Sequence, residues 1–506
     1  MAFPALLLLA SLLILATIVC RWVYLFLWIP FNIWLHFRQQ GISGPPFMLP
    51  FGNAREIVRF MKEAQAKPLP AFHHDFVGRV LPHYIHWTSL YGKCCLFWFG
   101  TQPRLAIAEP ELIKEVLLNP KGAFDMFELT PLARHLIGDG LIVLRGKKWL
   151  RHKRIIHPAF HADHIKGLVS AMVVSTEDML ERWEKETGEG PKEVDAFQEL
   201  HVLAADIVSR TAFGGNYEQG KRIFSLQEKQ TTLAMQALRS VYIPGSRFLP
   251  TQKNRERWRT ESEIKSLLRV LIASKQEELK EKSTNLLGLM LSANNEEREE
   301  DTMSMEEIVD ECKTFYFAGK EATAAFLTWT VLLLALHKEW QSKARDEVLS
   351  VFGRHGHPVA ESLDELKIVE MVLKESLRLY PPAVVLHRQA YKDIKLGDVT
   401  LPAGVQVYLP ILAVHHDADL WGPDVSEFNP ARFSDGSSNP AAFFPFAMGP
   451  RVCIGKNLVM TEGRVVISMI LQQFSLDVSP TYVHAPMQFM ALQPQYGAQV
   501  ILHRMS

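Results

Sequence analysis

Phe446-Ala-Met-Gly449-Pro-Arg451-Val-Cys453-Ile-Gly455 is the stretch on which the reading of this 506-residue chain turns. It sets one cysteine between two glycines, two residues after an arginine. Residues Asn457 to Phe474 read as a helix, so Cys453 sits close to a helix N-terminus. The positive end of the dipole there lowers a thiol pKa and favours the thiolate, the form that ligates metals. Gly449 and Gly455 permit a tight turn and the close approach of a flat group to the backbone. A lone cysteine is more often a buried structural residue, and taken singly Cys453 fits that reading too.

Composition narrows the field around this loop. Lys and Arg number 55, as do Asp and Glu, so no basic excess points to nucleic acid. The 48% hydrophobic content is ample for a large core. The five cysteines include no CxxC pair, which argues against a zinc site or a disulfide framework and fits a reducing compartment.

The N-terminus differs from the rest. Residues 1–20 carry no charged side chain, and a second apolar, aromatic stretch runs from Trp22 to Trp34. Roughly 20 apolar residues span a bilayer. No basic region precedes the run and no small-x-small site clearly ends it, so residues 1–34 read as an uncleaved anchor rather than a signal peptide. Arg21, Arg38 and Lys62 follow the span and place the bulk of the chain in the cytosol, and Trp22, Tyr24, Trp28 and Trp34 suit the membrane interface. Residues 35–52, with Pro45, Pro46 and Pro50, read as a stiff proline-rich hinge, and 53–506 as one globular unit.

Within that unit helical patterns dominate, with elements over 162–187 and 256–283 and a solvated acidic loop at Asn294–Asp301. Ser304 and Glu307 have capping-box spacing before an apolar run that reaches Leu336, which predicts a long buried helix. Ser362 and Glu365 repeat that spacing before a helix over Leu363–Tyr380, stopped by Pro381-Pro382. Strand signals are few: Leu386–Ala390, Val405–Leu409 and Ala498–His503. The fold class is mostly α with small β-sheets. Glu375 and Arg378 share a helix face at i, i+3, and spacing alone makes them a surface ion pair worth under about 1 kcal/mol.

From the hinge to the end, these motifs and their order resemble the cytochrome P450 family. The cysteine loop matches at each fixed position: Phe446, Gly449, Arg451, Cys453 and Gly455. The resemblance implies that Cys453 is the thiolate ligand of haem b, iron protoporphyrin IX, and that 53–506 is a haem-binding catalytic domain. It implies that Glu375 and Arg378 form a buried network with Arg432 of Phe428-Asn-Pro-Ala-Arg432-Phe433. Haem propionates need donors, for which the candidates are Trp149, Lys153, Arg388 and Arg451. Trp149-Leu-Arg-His-Lys153 departs from the family's Trp-x-x-x-Arg by a lysine, a point charge rather than a fork, with Arg154 adjacent. A basic patch over Lys147–Arg154 near the haem would attract an acidic electron donor.

The long helix holds the sharpest departure. Its centre, Phe317-Ala318-Gly319-Lys320-Glu321-Ala322-Thr323, has alanine where the family has its first threonine. Ala318 and Gly319 are expected to leave room for O2, and Glu321 and Thr323 to handle protons. Three readings stay open: delivery through Glu321, Thr323 and water, a substrate hydroxyl replacing the missing one, or rearrangement of a substrate that already carries an O–O bond. Family resemblance places Phe315, Ala318, Ala322, Ala383, Val384, Val385 and Leu386 on a mostly apolar pocket wall, with Phe124–Leu141 as roof and Leu492–Gln495 as a distal loop. Arg345-Asp-Glu-Val and His415-His416-Asp-Ala-Asp-Leu-Trp421-Gly resemble the plant group that includes brassinosteroid-, gibberellin- and cytokinin-hydroxylating members. The implied protein is a single-pass endoplasmic-reticulum enzyme with a cytosolic catalytic domain, a monooxygenase of a lipophilic plant metabolite fed by NADPH–cytochrome P450 reductase. The alternatives are a haem-thiolate isomerase or dehydratase of hydroperoxides that needs no reductase, and a non-catalytic haem or lipid binder.

Overall fold

The computed structural model describes residues 2–188, 190–238, 241–242, 245–278, 285–294, 301–434 and 442–505. The core of the acidic run expected at Asn294–Asp301, and residues 279–283 of the second expected helix, lie outside them.

Helix α1 (Ala2–Val23) passes through a π-helical turn, Tyr24–Trp28, into α2 (Ile29–Gln39). Pro30 explains the turn: its ring collides with the carbonyl four residues back, and one extra residue in the turn relieves the clash. The helix does not stop at 34 as the composition suggested. Phe37 is fully buried, and His36 and Gln40 both bond the backbone carbonyl of Thr400. The proline-rich stretch 35–52 also packs onto the globular body. Leu96 N donates to Ser43 O, Phe47 packs against Trp98 at 5.0 Å, and a Cβ on Gly44 would fall 1.8 Å from the Leu96 carbonyl oxygen. The prolines stiffen the segment, and its apolar side chains glue it to the globular body.

The helices that frame the site follow in order. They are α3 (Pro110–Leu118), α4 (Gly146–Ile156), α5 (Ala162–Thr187), α6 (Ala196–Phe213), α7 (Tyr217–Leu238), α8 (Gln252–Glu278), α9 (Met305–Leu336), α10 (Lys338–Phe352), α11 (Lys367–Leu379) and α12 (Lys456–Gln473). The capping box of α9 forms as expected: Glu307 N donates to Ser304 Oγ, and Ser304 N to the Glu307 carboxylate. Its 32 residues, at 1.5 Å each, span roughly 48 Å, and most of them are buried. α11 starts differently. Ser362 makes no cap; Leu363–Glu365 is a short 3-10 turn, and the helix begins at Lys367. Glu347 of α10 does the capping, accepting from Ile368 N at 2.7 Å and Val369 N at 2.9 Å. A carboxylate from another helix satisfies the same orphan amides and suits the positive end of the dipole.

The strands are β1 (Cys95–Phe99), β2 (Gln102–Ala106), β3 (Phe124–Asp125), β4 (Lys192–Asp195), β5 (Leu386–Ala390), β6 (Ile394–Leu396), β7 (Val399–Leu401), β8 (Gln406–Leu409), β9 (Phe474–Val478), β10 (Pro486–Gln488), β11 (Leu492–Pro494) and β12 (Gln499–Arg504). The largest sheet has the order β1-β2-β8-β5-β3, and β12 lies between β4 and β9. The β1–β2 hairpin leaves no alternating pattern because β1 is buried on both faces and reads as a continuous apolar run.

Candidate active site

A cavity of about 490 Å³ lies between α9 and the cysteine loop. Trp149, Lys153, Phe315, Ala318, Glu321, Ala322, Thr323, Arg388, Phe446, Arg451, Cys453 and Gly455 all reach its wall, from four separate stretches of chain. Three expected residues do not. Val384 is buried in the main core, and Val385 is packed against it; Ala383 and Leu386 take the wall positions. Gly449 stands off the cavity as well. It has φ +70°, and a Cβ there would meet the Leu117 carbonyl oxygen of α3 at 2.4 Å, so protein backbone rather than a cofactor demands the glycine. Gly319 does line the cavity beside Ala318, and a Cβ on it would also come within 2.7 Å of Val208 of α6, so helix packing demands the glycine as well. Met126 and Leu141 bring the roof segment to the wall, with Ile142 just past its end, and the distal contact comes from Met490 and Ala491 rather than Leu492–Gln495.

The loop is pinned by Cys453 N donating to Phe446 O at 2.9 Å. Ala447 is held at φ +60°, an uncommon conformation for a residue with a Cβ, which marks a sharply turned loop. The cysteine opens onto the cavity, and the backbone N–H groups of Gly455 and Lys456 point to its sulfur. Those amides are the start of α12, as the sequence suggested. Burial nonetheless outweighs them and pushes the bare thiol up. The thiolate therefore needs a cation beside it, which a bound metal supplies.

Donors for carboxylates stand opposite. Arg388 is 5% exposed, yet it bonds only its neighbour's carbonyl, His387 O, and Met126 Sδ. No carboxylate of the described residues forms an ion pair with it, and burial, reinforced by Arg451, holds its guanidinium at about 10. A buried cation facing a cavity without an anion is half of an ion pair. Arg451 stacks on Trp149 at 4.0 Å and donates to Asp125 and to Leu144 O, and Lys153 donates to Pro450 O at 2.9 Å. Arg154 faces away to Asp301 at 2.8 Å. A sulfur ligand on one side and a carboxylate-seeking arginine on the other fit an iron porphyrin with propionates. Cys453 would hold the metal, and Arg388, Arg451 and Trp149 the acid edge.

Beside the cavity, Glu375 and Arg378 are both fully buried, not a surface pair. Arg378 grips Glu375 with two parallel bonds of 2.7 Å. Its other N–H groups reach the carbonyls of His415, Val425 and Glu427. Asn429 N donates to Glu375, and Arg432 lies 3.5 Å from it. The network welds α11 to the segment that leads into the cysteine loop.

The Cytochrome P450 family model matches residues 76–502. The chain belongs to the cytochrome P450 family. It is similar to cytochrome P450 734A1 of Arabidopsis thaliana, 43% identical over 485 residues, covering 93% of this chain and 92% of the relative. Cytochrome P450 734A6 of Oryza sativa subsp. japonica is 45% identical over 488 residues, covering 92% and 90%. Cytochrome P450 CYP72A616 of Paris polyphylla is 45% identical over 480 residues, covering 92% of each. Membership makes this P450 a monooxygenase, an oxidoreductase with haem b as cofactor and a reductase as its electron source.

Two acids of this P450 face the cavity. Glu321 was expected from the sequence; Glu462 of α12 was not. Burial raises both carboxyls: Glu462 is pushed up to about 8, against the pull of neighbouring Thr323, and Glu321 is raised despite the opposing charge of Lys320. Glu462 thus keeps its proton at neutral pH. Its one sequence signal was a lone acid inside an apolar helical run, Leu458-Val-Met-Thr-Glu462-Gly-Arg-Val-Val. Thr323 is buried toward Glu462, whereas Ala322 is open to the cavity. The alanine therefore leaves a real gap where a hydroxyl would stand.

Proposed function

We propose that this P450 hydroxylates a lipophilic metabolite of steroid or terpenoid size, as an endoplasmic-reticulum enzyme with electrons from NADPH–cytochrome P450 reductase. The observation that carries the reading is the wall of the cavity beyond the residues that would hold the porphyrin, where Phe315, Phe317, Ala318, Ala383 and Leu386 present an almost wholly apolar surface above Cys453. Thiolate-ligated haem supplies O2 activation: one oxygen enters a C–H bond and the other leaves as water, with two electrons and two protons balancing the reaction. The protein's own part is to seat an apolar ligand against Ala318, Phe315, Ala383 and Leu386. Glu321 stands on the wall with its charged form disfavoured by burial, and Glu462 holds a proton deeper in, beside Thr323.

The stretch Leu9–Gln39 is long and apolar enough to cross a membrane, and none of its apolar window is buried in the protein, which supports the anchor. The basic patch expected on α4 is largely consumed: Lys148 and Arg151 pair with Glu307, and Arg154 with Asp301. Lys166 and Lys456 are better docking candidates. Both are exposed and flank a second hollow beside Phe446 and Ala447, with no ion pair among the described residues.

The test is turnover of plant sterols, diterpenoids and fatty-acid hydroperoxides by the membrane-bound protein. Product that requires both NADPH and reductase is expected. Product from hydroperoxides with neither overturns the reading. Ala322 allows a second check. Because position 322 faces open space, Ala322→Thr is expected to fold and to raise product formed per NADPH consumed, by about twofold to tenfold for one added proton donor. More peroxide released by that variant would show that a substrate hydroxyl already fills the role.

A further inference from the structure

Lys320 is out of place by the logic of its helix. α9 is apolar nearly all round, and a buried ammonium costs several kcal/mol unless it is paired. The Lys320 side chain is 5% exposed. Its Nζ donates to Glu228 Oε1 of α7 at 2.6 Å, and a second carboxylate, Glu321 Oε1, lies 3.5 Å away. The other charged or titratable group facing it is His201 of α6, which burial and then the Lys320 charge hold neutral, at about 3. The ring of Phe224 on α7 lies 5.8 Å from the ammonium.

One cation therefore serves two acids in unlike settings. Glu228 has 63% of its side chain in solvent, and water can carry its charge unaided. Glu321 has 14% exposed and stands on the cavity wall, where burial disfavours its charged form. The cation matters far more to Glu321, yet in this structure Glu228 holds it at the shorter distance.

We propose that Lys320 is a positioning residue shared between Glu228 and Glu321: the ion pair across α7 and α9 draws the cation off the cavity acid and leaves Glu321 free to hold a proton, while loss of Glu228 returns Lys320 to Glu321 and fixes it as an ion. The proposal rests on the monooxygenase reading only for the use made of that proton. A second ion pair ties the neighbouring helix α8 to α9, between Glu261 and Lys313, two turns before Lys320. No cavity acid adjoins Lys313 in sequence, so that pair anchors a helix without touching the proton inventory of the site.

The test is infrared titration of the Glu321 carboxyl in the full-length protein, with its band assigned by loss in E321Q. Glu228 is largely exposed, so E228Q is expected to fold. In E228Q the midpoint moves to lower pH, by roughly tenfold in proton concentration or more, as for an acid gaining a close cation. E228D keeps the wild-type midpoint. The double exchange E228K/K320E restores an ion pair between the helices but places a carboxylate beside Glu321, and the midpoint moves to higher pH. The double variant would show that the band responds to charge at position 320, whereas a purely structural pair predicts an unmoved midpoint in E228Q, and this result overturns the proposal. Failure of the monooxygenase reading would show instead as missing NADPH-dependent product, with these titrations unaffected.

Discussion

Arg378→Ala is expected to leave no haem-loaded protein to purify. The substitution strands the Glu375 carboxylate in a fully buried site and frees the carbonyls of His415, Val425 and Glu427 from their donor. Removing one partner of a buried pair costs about 3–5 kcal/mol, against a total stability of about 5–15 kcal/mol. Arg378→Lys does not rescue it. An ammonium offers three donors from one point, where the guanidinium uses a planar fork on Glu375 and reaches three carbonyls besides. The damage falls on the cysteine loop in particular, because the carbonyls and Asn429 belong to the segment running toward it. The checks are recovery of reduced-CO absorbance per mole of protein and the urea midpoint of whatever folds. A variant with a wild-type midpoint would show that the network is dispensable.

The second large effect is acid lability. Burial holds at least seven histidines neutral in the folded chain: His74 at about 2, His83, His201, His415 and His484 at about 3, His416 at about 4, and His387 well below its ordinary value. Unfolded, each titrates near 6.5, so below that pH the unfolded chain binds more protons and stability falls as pH falls. The loss begins near pH 6.5 and continues toward the folded values. Each histidine can contribute up to about 1.4 kcal/mol per pH unit. Glu462 acts in the opposite sense, costing stability as pH rises from about 4.5 to about 8. The histidines outnumber it. Local opening lets some of them protonate early, so about 4 kcal/mol lost between pH 6.5 and 5.5 is a reasonable expectation. His415 shows why charging is intolerable: it accepts from Phe444 N at 3.3 Å and lies against Arg378, so its proton breaks a loop bond beside a fixed cation. Urea unfolding at pH 7.5, 6.5 and 5.5 measures the effect. A flat profile would mean that these imidazoles are hydrated.

What could be read from the chain follows from how far apart the partners are. The cysteine loop and Glu375–Arg378 are each contained in ten residues or fewer, so spacing carries their geometry. The Ser304–Glu307 box was legible for the same reason. The Ser362–Glu365 box was a false friend, because Glu347 competes for the same amides from another helix. The partner of Lys320 lies 92 residues away, and Glu462 reaches the cavity only because α12 crosses beneath α9. Val384 and Ala383 differ by one position, and which of them faces the cavity is set by a carbonyl, Val384 O, that Leu412 N claims. Spacing in one chain holds no record of such choices.

The junction between α2 and the globular body has a mechanical meaning. His36, Phe37 and Gln40 lock the end of the helix onto the β6–β7 hairpin through Thr400. A helix clamped in this way transmits torque. One residue inserted before the clamp turns everything beyond it by roughly 100° and lifts it about 1.5 Å. For a helix held in a lipid sheet, the compass bearing of the cavity mouth is therefore written in the number of residues between Pro30 and His36, and the azimuth at which dissolved substrates meet the enzyme is a matter of counting.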